Sequence, residues 1–372
     1  MSASVRRAGV ALAAAVAMLL VPADPAAADN IRNQQWHLAV LGIEQAQRVS
    51  QGDGVVVAVL DSGVDVKHAE LAGAVLAGVA YGEGNNTGGR VDDIGHGTAM
   101  AGLIAGRGLP NGGGVLGIAP KAMILPVQVV RSGLGLGIPE YDAAGIDWAV
   151  EHGAKVINMS LDIGETPTVR AAVERALQAG VVVVAAAGNT PEQKTVGFPA
   201  NVPGVIAVAG TDRDGNHAQV SVTGPEVLVA APAVDVVSTH PGAKYAVGSG
   251  TSEATAIVSG VVALVRAKYP ELSAAEVVHR ITATATDKGK PGRDEEFGFG
   301  IVNPVAALTA DVAPMPPSSS AGGDAGGEGS PGGSGVGAKG STSAAGVVAG
   351  GVGVGLVLVA VGVWAIRRRA RD

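Results

Sequence analysis

Residues 55–63 read VVVAVLDSG, an apolar run that ends in an aspartate and a turn. Six consecutive apolar residues rich in valine predict a strand that is buried on both faces of a sheet. Asp61 therefore follows directly on the carboxyl end of a buried strand. Similar short runs of valine, isoleucine and alanine recur along the chain, at residues 122–130, 156–159, 181–186 and 205–209.

Between these runs the sequence takes up the 3.6-residue period of helices, at residues 140–152, 168–179, 252–269 and 273–284. Thr166-Pro167 is typical of a helix start and Gly180 of a helix end, while Ser273 and Glu276 predict a capping box. Strands that alternate with helices predict an α/β fold, in which a mostly parallel central sheet has helices on both faces. Active sites in such folds lie beyond the carboxyl ends of the strands.

Polar side chains that can take part in catalysis lie at the ends of several predicted strands and helices. His96, with Gly97-Thr98, begins a helix of small residues, and Ser252, after Gly250-Thr251, begins a long apolar helix. Asn189 follows the apolar run 181–186. Together with Asp61, these side chains are expected where an α/β fold builds its active site.

The residue types suit nucleophilic catalysis by serine. A serine hydroxyl is a poor nucleophile until a base removes its proton, and histidine titrates near neutrality, so it can take that proton and return it. An aspartate behind the imidazole fixes its tautomer and stabilises the imidazolium. A helix N-terminus and an asparagine amide can both donate hydrogen bonds to a developing oxyanion. Each segment alone is typical of a plain turn or helix start; their combination in one order predicts a serine hydrolase.

Several segments resemble the signatures of subtilisin-like serine proteases. They are VAVLDSGVD at 57–65, GHGTAMAGLIAG at 95–106, AAAGN at 185–189 and GTSEATAIVSG at 250–260, with VINMSL at 156–161 and GFGIVNPVAAL at 298–308. The resemblance covers about residues 35–310 and implies a subtilisin-like peptidase domain that cleaves polypeptides through an acyl-enzyme. It implies that Asp61, His96 and Ser252 form the catalytic triad and that Asn189 donates to the oxyanion.

The same resemblance implies a substrate cleft. Its backbone lining would be Ser160-Leu161 and Ala187-Gly188, where an extended peptide can add as a strand. No cofactor or metal is expected. No acidic loop has a spacing that predicts a calcium site, and Asp212 and Asp214 are equally well explained as turn residues.

Three positions depart from the subtilisin-like pattern. Ala256 stands where relatives commonly carry proline, and the helix is expected to survive because alanine is the better helix former. Glu253 directly follows Ser252, where a carboxylate suits the helix dipole and is expected to raise the pKa of His96. Asp162 would either favour basic substrate side chains or face solvent.

Composition excludes several other classes of protein. The 372 residues contain no cysteine, which removes disulfides, thiolate metal sites and cysteine nucleophiles. The formal net charge of −7 argues against a nucleic-acid partner. No two histidines have the spacing of a helical zinc site.

The N-terminus has the three regions of a cleavable signal peptide, predicted for residues 1–28. Arg6-Arg7 precede an uncharged run at 8–21, and alanines at 26–28 precede the expected cleavage point. A buried N-terminal helix is the alternative. Residues 29–54 are too few for a folding-assisting propeptide, so we expect a short extension leading into the core and an enzyme that is essentially mature after signal cleavage.

The C-terminus predicts a membrane anchor. Residues 314–343 have the Gly, Pro and Ser composition of a flexible linker. Residues 344–366 are uncharged and long enough to span a membrane, and arginines in the tail at 367–372 should stay in the cytoplasm. The expected location is the cell membrane, with a single span and the catalytic domain outside. A disordered Gly/Ala tail is the alternative.

The combination of signal peptide, extension, linker and terminal helix resembles the mycosins, the membrane-anchored proteases of type VII secretion in actinobacteria. That resemblance implies limited processing and a membrane secretion complex as partner. One alternative function is a structural component of that complex with dispensable proteolysis. Another, a nutritional protease shed into the medium, is disfavoured by the predicted anchor.

Overall fold

The computed structural model describes residues 19–21, 31–82, 86–110, 112–130, 138–161 and 163–313. The strands in these residues are β1 (Leu19–Val21), β2 (Val56–Asp61), β3 (Val79–Ala80), β4 (Met123–Gln128), β5 (Val156–Met159), β6 (Val182–Ala186), β7 (Ile206–Thr211), β8 (Val227–Pro232), β9 (Val236–His240) and β10 (Lys244–Gly248). The helices are α1 (Trp36–Val40), α2 (Ile43–Val49), α3 (His96–Ala105), α4 (Pro139–Glu151), α5 (Pro167–Gln178), α6 (Thr251–Lys268), α7 (Ala274–Ala283) and α8 (Pro304–Thr309).

A parallel sheet forms the centre of the part that the structure describes. Its strand order is β3-β4-β2-β5-β6-β7-β8, and each neighbouring pair is parallel. The apolar runs predicted as strands are β2, β4, β5, β6 and β7, with ends that differ by at most two residues. Because β4 and β5 flank β2 on opposite sides, the strand order reverses at β2, the kind of position where α/β sheets place an active site.

Helices cover both faces of this sheet, as predicted. Val57 and Val59 of β2 belong to a core packed by α3 and α6, whereas Ala58 and Leu60 belong to a second core packed by α4 and α5. Successive side chains of one strand thus point into different cores. The strand sequences are continuous apolar runs because neither face of the sheet meets water.

The predicted helix caps are present. The Thr166 hydroxyl accepts a hydrogen bond from the N–H of Val169 at 3.2 Å. Ser273 and Glu276 exchange side-chain and backbone hydrogen bonds, which is the capping box expected from the sequence. Asp212 lies in a turn, where its Oδ1 accepts from the N–H groups of Asp214 and Asn216 at 3.0 and 2.8 Å.

The stretch before β2 is docked on the catalytic domain. The indole N–H of Trp36 donates to the carbonyl oxygens of Val234 and Asp235, both at 3.2 Å. Gln35 exchanges two hydrogen bonds with the backbone of Leu116, at 3.0 and 2.8 Å. The described part of the predicted extension, which contains α1 and α2, is therefore packed against the core.

A small second sheet lies outside the central one. β10 pairs antiparallel with β9 on one side and with β1 on the other. β1 falls within the predicted signal peptide, whose other residues lie outside the described part, as do the predicted linker, membrane span and basic tail. No described helix is long and apolar enough to cross a membrane.

Candidate active site

Glycine brings the predicted histidine against the predicted aspartate. The N–H of Gly97, the second residue of α3, donates to the Ser62 hydroxyl at 2.9 Å. A Cβ at position 97 would overlap the carbonyl oxygen of Gly63 and lie 3.1 Å from the Asp61 Cβ. Only glycine lets the start of α3 approach the end of β2 this closely, and His96 is placed beside Asp61 as a result.

Asp61 and His96 form a buried pair. Nδ1 of His96 lies 2.9 Å from Oδ1 and 2.8 Å from Oδ2 of Asp61. The Asp61 side chain is 1% exposed and also accepts a hydrogen bond from the N–H of Ser62 at 2.7 Å. Because a carboxylate can only accept, the His96 proton at this contact is on Nδ1, and Nε2 is left as the basic nitrogen.

The environment raises the pKa of His96 to about 9. Burial of the imidazole works in the opposite direction, but the charge and hydrogen bond of Asp61 outweigh it, with further contributions from Glu253 and Asp92. His96 therefore holds a proton more tightly than an exposed histidine does.

Asp92, which the sequence reading missed, supports the start of α3. Its Oδ1 accepts from the N–H groups of Ile94 and Gly95 at 3.0 and 2.8 Å. Its Oδ2 accepts from the N–H and hydroxyl of Thr98 at 2.9 and 2.6 Å. An aspartate shortly before a helix start is the signal that could have found it.

Ser252 is the second residue of α6 and is 4% exposed. Its hydroxyl donates to the carbonyl oxygen of Ser160 at 3.2 Å, and the Ser160 hydroxyl donates to the carbonyl oxygen of Ser252 at 3.1 Å. These two bonds tie the start of α6 to the segment after β5. Among the described residues the Ser252 hydroxyl is hydrogen-bonded to Ser160 and not to His96.

Asn189 is held with its amide nitrogen free to donate. Its Oδ1 accepts from the N–H and hydroxyl of Thr251 at 2.9 and 3.0 Å. The backbone N–H of Asn189 in turn donates to Oε1 of Gln193 at 2.9 Å. Because the backbone N–H of Thr251 can only donate, the Asn189 side-chain atom that faces it must be the oxygen Oδ1. The other side-chain atom, Nδ2, has no hydrogen-bond partner among the described residues. Thr251, another residue that the sequence reading did not single out, sets this orientation.

The four predicted cleft residues lie beyond the ends of neighbouring strands, Ser160 and Leu161 after β5 and Ala187 and Gly188 after β6. The backbone of Ala187 and Gly188 is already hydrogen-bonded inside the protein, to Val208, Gly197, Thr251 and Val222. These N–H and C=O groups are thus engaged within the protein. The expectation that an extended peptide adds as a strand in the cleft stays a prediction.

The departures from the subtilisin-like pattern have different outcomes. Ala256 lies inside the uninterrupted helix α6, as expected. Glu253 is fully buried, and neither of its carboxylate oxygens has a hydrogen-bond partner in the described structure. Asp162 lies outside the described residues, so its orientation stays a prediction.

Taken together, the described residues place a serine, a histidine held by an aspartate and a free amide donor at one edge of the sheet. No group of three or more His, Cys, Asp or Glu side chains in the described part could hold a metal ion. The arrangement has the parts that acyl transfer by a serine nucleophile requires.

Comparison with known proteins identifies relatives over most of the chain. The model of the subtilase family matches residues 52–300. Subtilisin DY from Bacillus licheniformis is 40% identical over 261 residues, which is 69% of this chain and 92% of that protein.

Solved structures of similar fold include two proteases named for type VII secretion. MycP1 from Mycobacterium smegmatis superposes with a TM-score of 0.67 at 30% identity, over 76% of this chain and 86% of that one. MycP3, described as a protease from the type VII (ESX-3) secretion system, superposes with a TM-score of 0.64 at 31% identity, over 80% of this chain and 95% of that one.

Proposed function

The chain belongs to the subtilase family of serine endopeptidases, and on that premise we propose that Asp61, His96 and Ser252 are its catalytic triad. The observation that carries the proposal is the buried pair of His96 and Asp61, with distances of 2.9 and 2.8 Å, at the same edge of the sheet as Ser252. The pair leaves Nε2 of His96 as the base that a serine nucleophile needs.

The proposed reaction begins with attack of Ser252 Oγ on the carbonyl carbon of a peptide bond. Nε2 of His96 takes the hydroxyl proton, and Asp61 stabilises the imidazolium that forms. Nδ2 of Asn189 and the N–H of Ser252, the second residue of α6, donate to the oxyanion. His96 then protonates the leaving amine, and water, activated in the same way, hydrolyses the acyl-enzyme ester.

For the substrate, we propose a polypeptide bound in extended form along Ser160 and Leu161. The support is that Ser160 lies directly against the proposed nucleophile, since its hydroxyl and its carbonyl oxygen are both hydrogen-bonded to Ser252. Incubation of the solubilised full chain with proteins exported by its own cell, with cut sites found by mass spectrometry, would identify the substrate. The matched control is the Ser252→Ala protein, which should leave the same mixture uncut.

We further propose that the enzyme is anchored in the cell membrane with its catalytic domain outside. The support is the sequence alone, from the charge pattern at residues 1–28 and from the uncharged stretch 344–366 before the arginines. A chain truncated after Asp311 should be recovered in the soluble fraction while the full chain sediments with membranes. Sedimentation of both would show that residues 344–366 are not the anchor.

The cellular role we propose is limited processing associated with type VII secretion, supported by the likeness to MycP1 and MycP3. Cells that carry Ser252→Ala should lose the processed forms of exported proteins, yet continue to export them. Cells that lack the whole chain should export less, because the complex would lose a component. If the point mutant blocked export as fully as the deletion, proteolysis itself would be required. If neither affected export, the association would be wrong.

A further inference from the structure

Glu253 is an anomaly beside the proposed nucleophile. It follows Ser252 directly on α6, is 0% exposed and has no hydrogen-bond partner for either carboxylate oxygen among the described residues. A buried ionised carboxylate without partners is costly, so such groups are rare unless something else compensates their charge. The proposed catalytic cycle makes no use of this side chain.

Two glycines make the space for the Glu253 carboxyl group. A Cβ at Gly248, the last residue of β10, would overlap Oε1 of Glu253. A Cβ at Gly250 would lie 3.3 Å from Oε2 of Glu253 and 3.2 Å from Nδ2 of Asn189. The carboxyl group and the amide proposed to hold the oxyanion therefore border the same point of the backbone.

Charged groups surround His96 from several elements. Asp61 contacts it from the end of β2, and the charges of Glu253 on α6 and of Asp92 in the segment before α3 also raise its pKa. His240, at the end of β9, packs against Gly95 next to His96, and burial lowers the pKa of His240.

These acidic groups differ in how their charges are balanced. Asp61 accepts hydrogen bonds from His96 and from the N–H of Ser62, and Asp92 accepts from four donors. Glu253 alone among these three acidic groups accepts no hydrogen bond from another residue in the described structure. Its charge, when present, is therefore compensated mainly by a proton on His96.

We propose that Glu253 is a positioning residue of the catalytic centre, whose ionised carboxylate keeps a proton on His96 and so confines peptide hydrolysis to alkaline pH. The proposal rests on the proposed triad. Burial raises the pKa of Glu253 to about 7, and the positive charge of His96 opposes that rise. As pH rises through this value, the new carboxylate makes it harder to remove the proton from His96.

The ionised carboxylate has a second effect, which lowers the rate at every pH where Glu253 is charged. It places negative charge beside the amide of Asn189, where negative charge develops on the oxyanion in the transition state. Like charges close together in a buried site repel strongly. An uncharged side chain at position 253 would avoid both effects.

The test is the pH dependence of kcat/KM for a chromogenic peptide, measured on the wild-type chain, Glu253→Gln and Glu253→Met. Glutamine keeps the shape, and methionine fills the same space without an amide that needs partners. The acid limb should move to lower pH by about one unit in both variants, with kcat/KM at neutral pH about tenfold higher. Glu271→Gln is the matched control, since it removes an exposed carboxylate from the loop after α6 and should leave the limb in place.

Thermal unfolding at each pH shows which variant is folded, and either folded variant decides the question. An acid limb that stays in place, moves to higher pH, or shifts equally in Glu271→Gln would overturn the role of Glu253. If the acid limb gave one of these results while Ser252→Ala lost all hydrolysis, the role of Glu253 would be wrong but the proposed triad would stand. A wild-type chain that cleaves no peptide at any pH would instead overturn the proposed function.

Discussion

Nδ1 of His96 lies within hydrogen-bond distance of both carboxylate oxygens of Asp61, at 2.9 and 2.8 Å. The contact places the proton on Nδ1 and leaves Nε2 free to act as a base. Asp61→Asn would keep the size of the side chain but could present an N–H to the ring, which favours the wrong tautomer. We expect kcat to fall about 10⁴-fold in this variant, with the fold unchanged.

The matched control for Asp61→Asn is Asp147→Asn. Asp147 forms an ion pair with Arg175 in which both side chains are well exposed, and removing its charge should leave kcat unchanged. Full activity of Asp61→Asn would mean that His96 does not depend on Asp61 as its orienting partner.

Asn189 should act on the transition state rather than on substrate binding. Asn189→Ala removes the free Nδ2 donor, and kcat should fall about 10²–10³-fold with little change in KM, as for the corresponding change in subtilisin. Asn216→Ala, in the exposed turn at Asp212, is the control and should have wild-type kinetics. A change confined to KM would place Asn189 in ground-state binding instead.

The raised pKa of His96 predicts an alkaline pH profile. Only neutral imidazole can take the proton of Ser252, so kcat/KM should climb with pH, about tenfold per unit below the His96 pKa. The pKa of about 9 puts the half-maximal point well on the alkaline side of neutrality. Initial rates at low substrate from pH 5 to 10 measure this limb, and a plateau already reached at pH 6 would be the contrary result.

A buried ion pair away from the active site should make stability depend on pH. Nδ1 of His68 lies 2.6 Å from Oε2 of Glu70, each side chain is 1% exposed, and the Tyr245 hydroxyl donates to Oε1 of Glu70 at 2.5 Å. Burial raises the pKa of Glu70, but the bonds to His68 and Tyr245 outweigh it and leave that pKa lowered. Burial lowers the pKa of His68, but Glu70 outweighs it and leaves that pKa raised.

The sign of each shift fixes the pH window of the pair. Glu70 contributes stability above its unfolded pKa of about 4.3, and the contribution is lost as pH falls through its lower folded pKa. His68 contributes fully below its unfolded pKa of about 6.5, and that contribution is lost as pH rises through its higher folded pKa. The pair should therefore stabilise the fold most between these two unfolded values.

Glu70→Gln should lower the free energy of unfolding by about 3–5 kcal/mol inside that window and by less at high pH. Urea unfolding at pH 5.5 and 9.5 measures the difference. Glu44→Gln removes a carboxylate from an exposed pair with Arg48 and should change stability by less than about 0.5 kcal/mol. An equal loss for Glu70→Gln at both pH values would show that the pair is not ionised in the fold.

The fold could be predicted from the sequence because its central strands are buried on both faces. Runs such as Val55–Leu60 carry no competing period, and the helices between them have caps at Thr166 and Ser273 that the structure retains. β8, β9 and β10 were not predicted. In β9 and β10 polar and glycine residues interrupt the apolar ones, so the pattern there does not separate strand from loop. β8 is an unbroken apolar run that ends at Pro232, and its pattern is that of the predicted strands.

The sequence predicts the active-site side chains at the correct helix and strand ends, but it does not predict the hydrogen bonds that hold them there. Asp92 and Thr251 act through hydrogen bonds to His96's helix and to Asn189, across 6 residues and 62 residues of chain. The pairing of Thr251 with Asn189 depends on the tertiary fold, which no local pattern encodes, whereas Asp92 carried a local signal as an aspartate just before a helix start. The backbone partners of Ala187 and Gly188 also depend on the tertiary fold, since they come from β7, from Gly197 before it and from segments that follow it.

The assignment of Ser252 as nucleophile can be tested directly with a phosphonofluoridate, which reacts with a serine only when a base activates its hydroxyl. The full-length protein is treated with the reagent, digested, and mapped by mass spectrometry, in parallel with His96→Ala and Ser252→Ala. We predict one modified serine, Ser252, in the wild-type chain, little modification in His96→Ala, and loss of peptide hydrolysis in step with labelling. Labelling of a different serine, or undiminished hydrolysis by Ser252→Ala, would contradict the account.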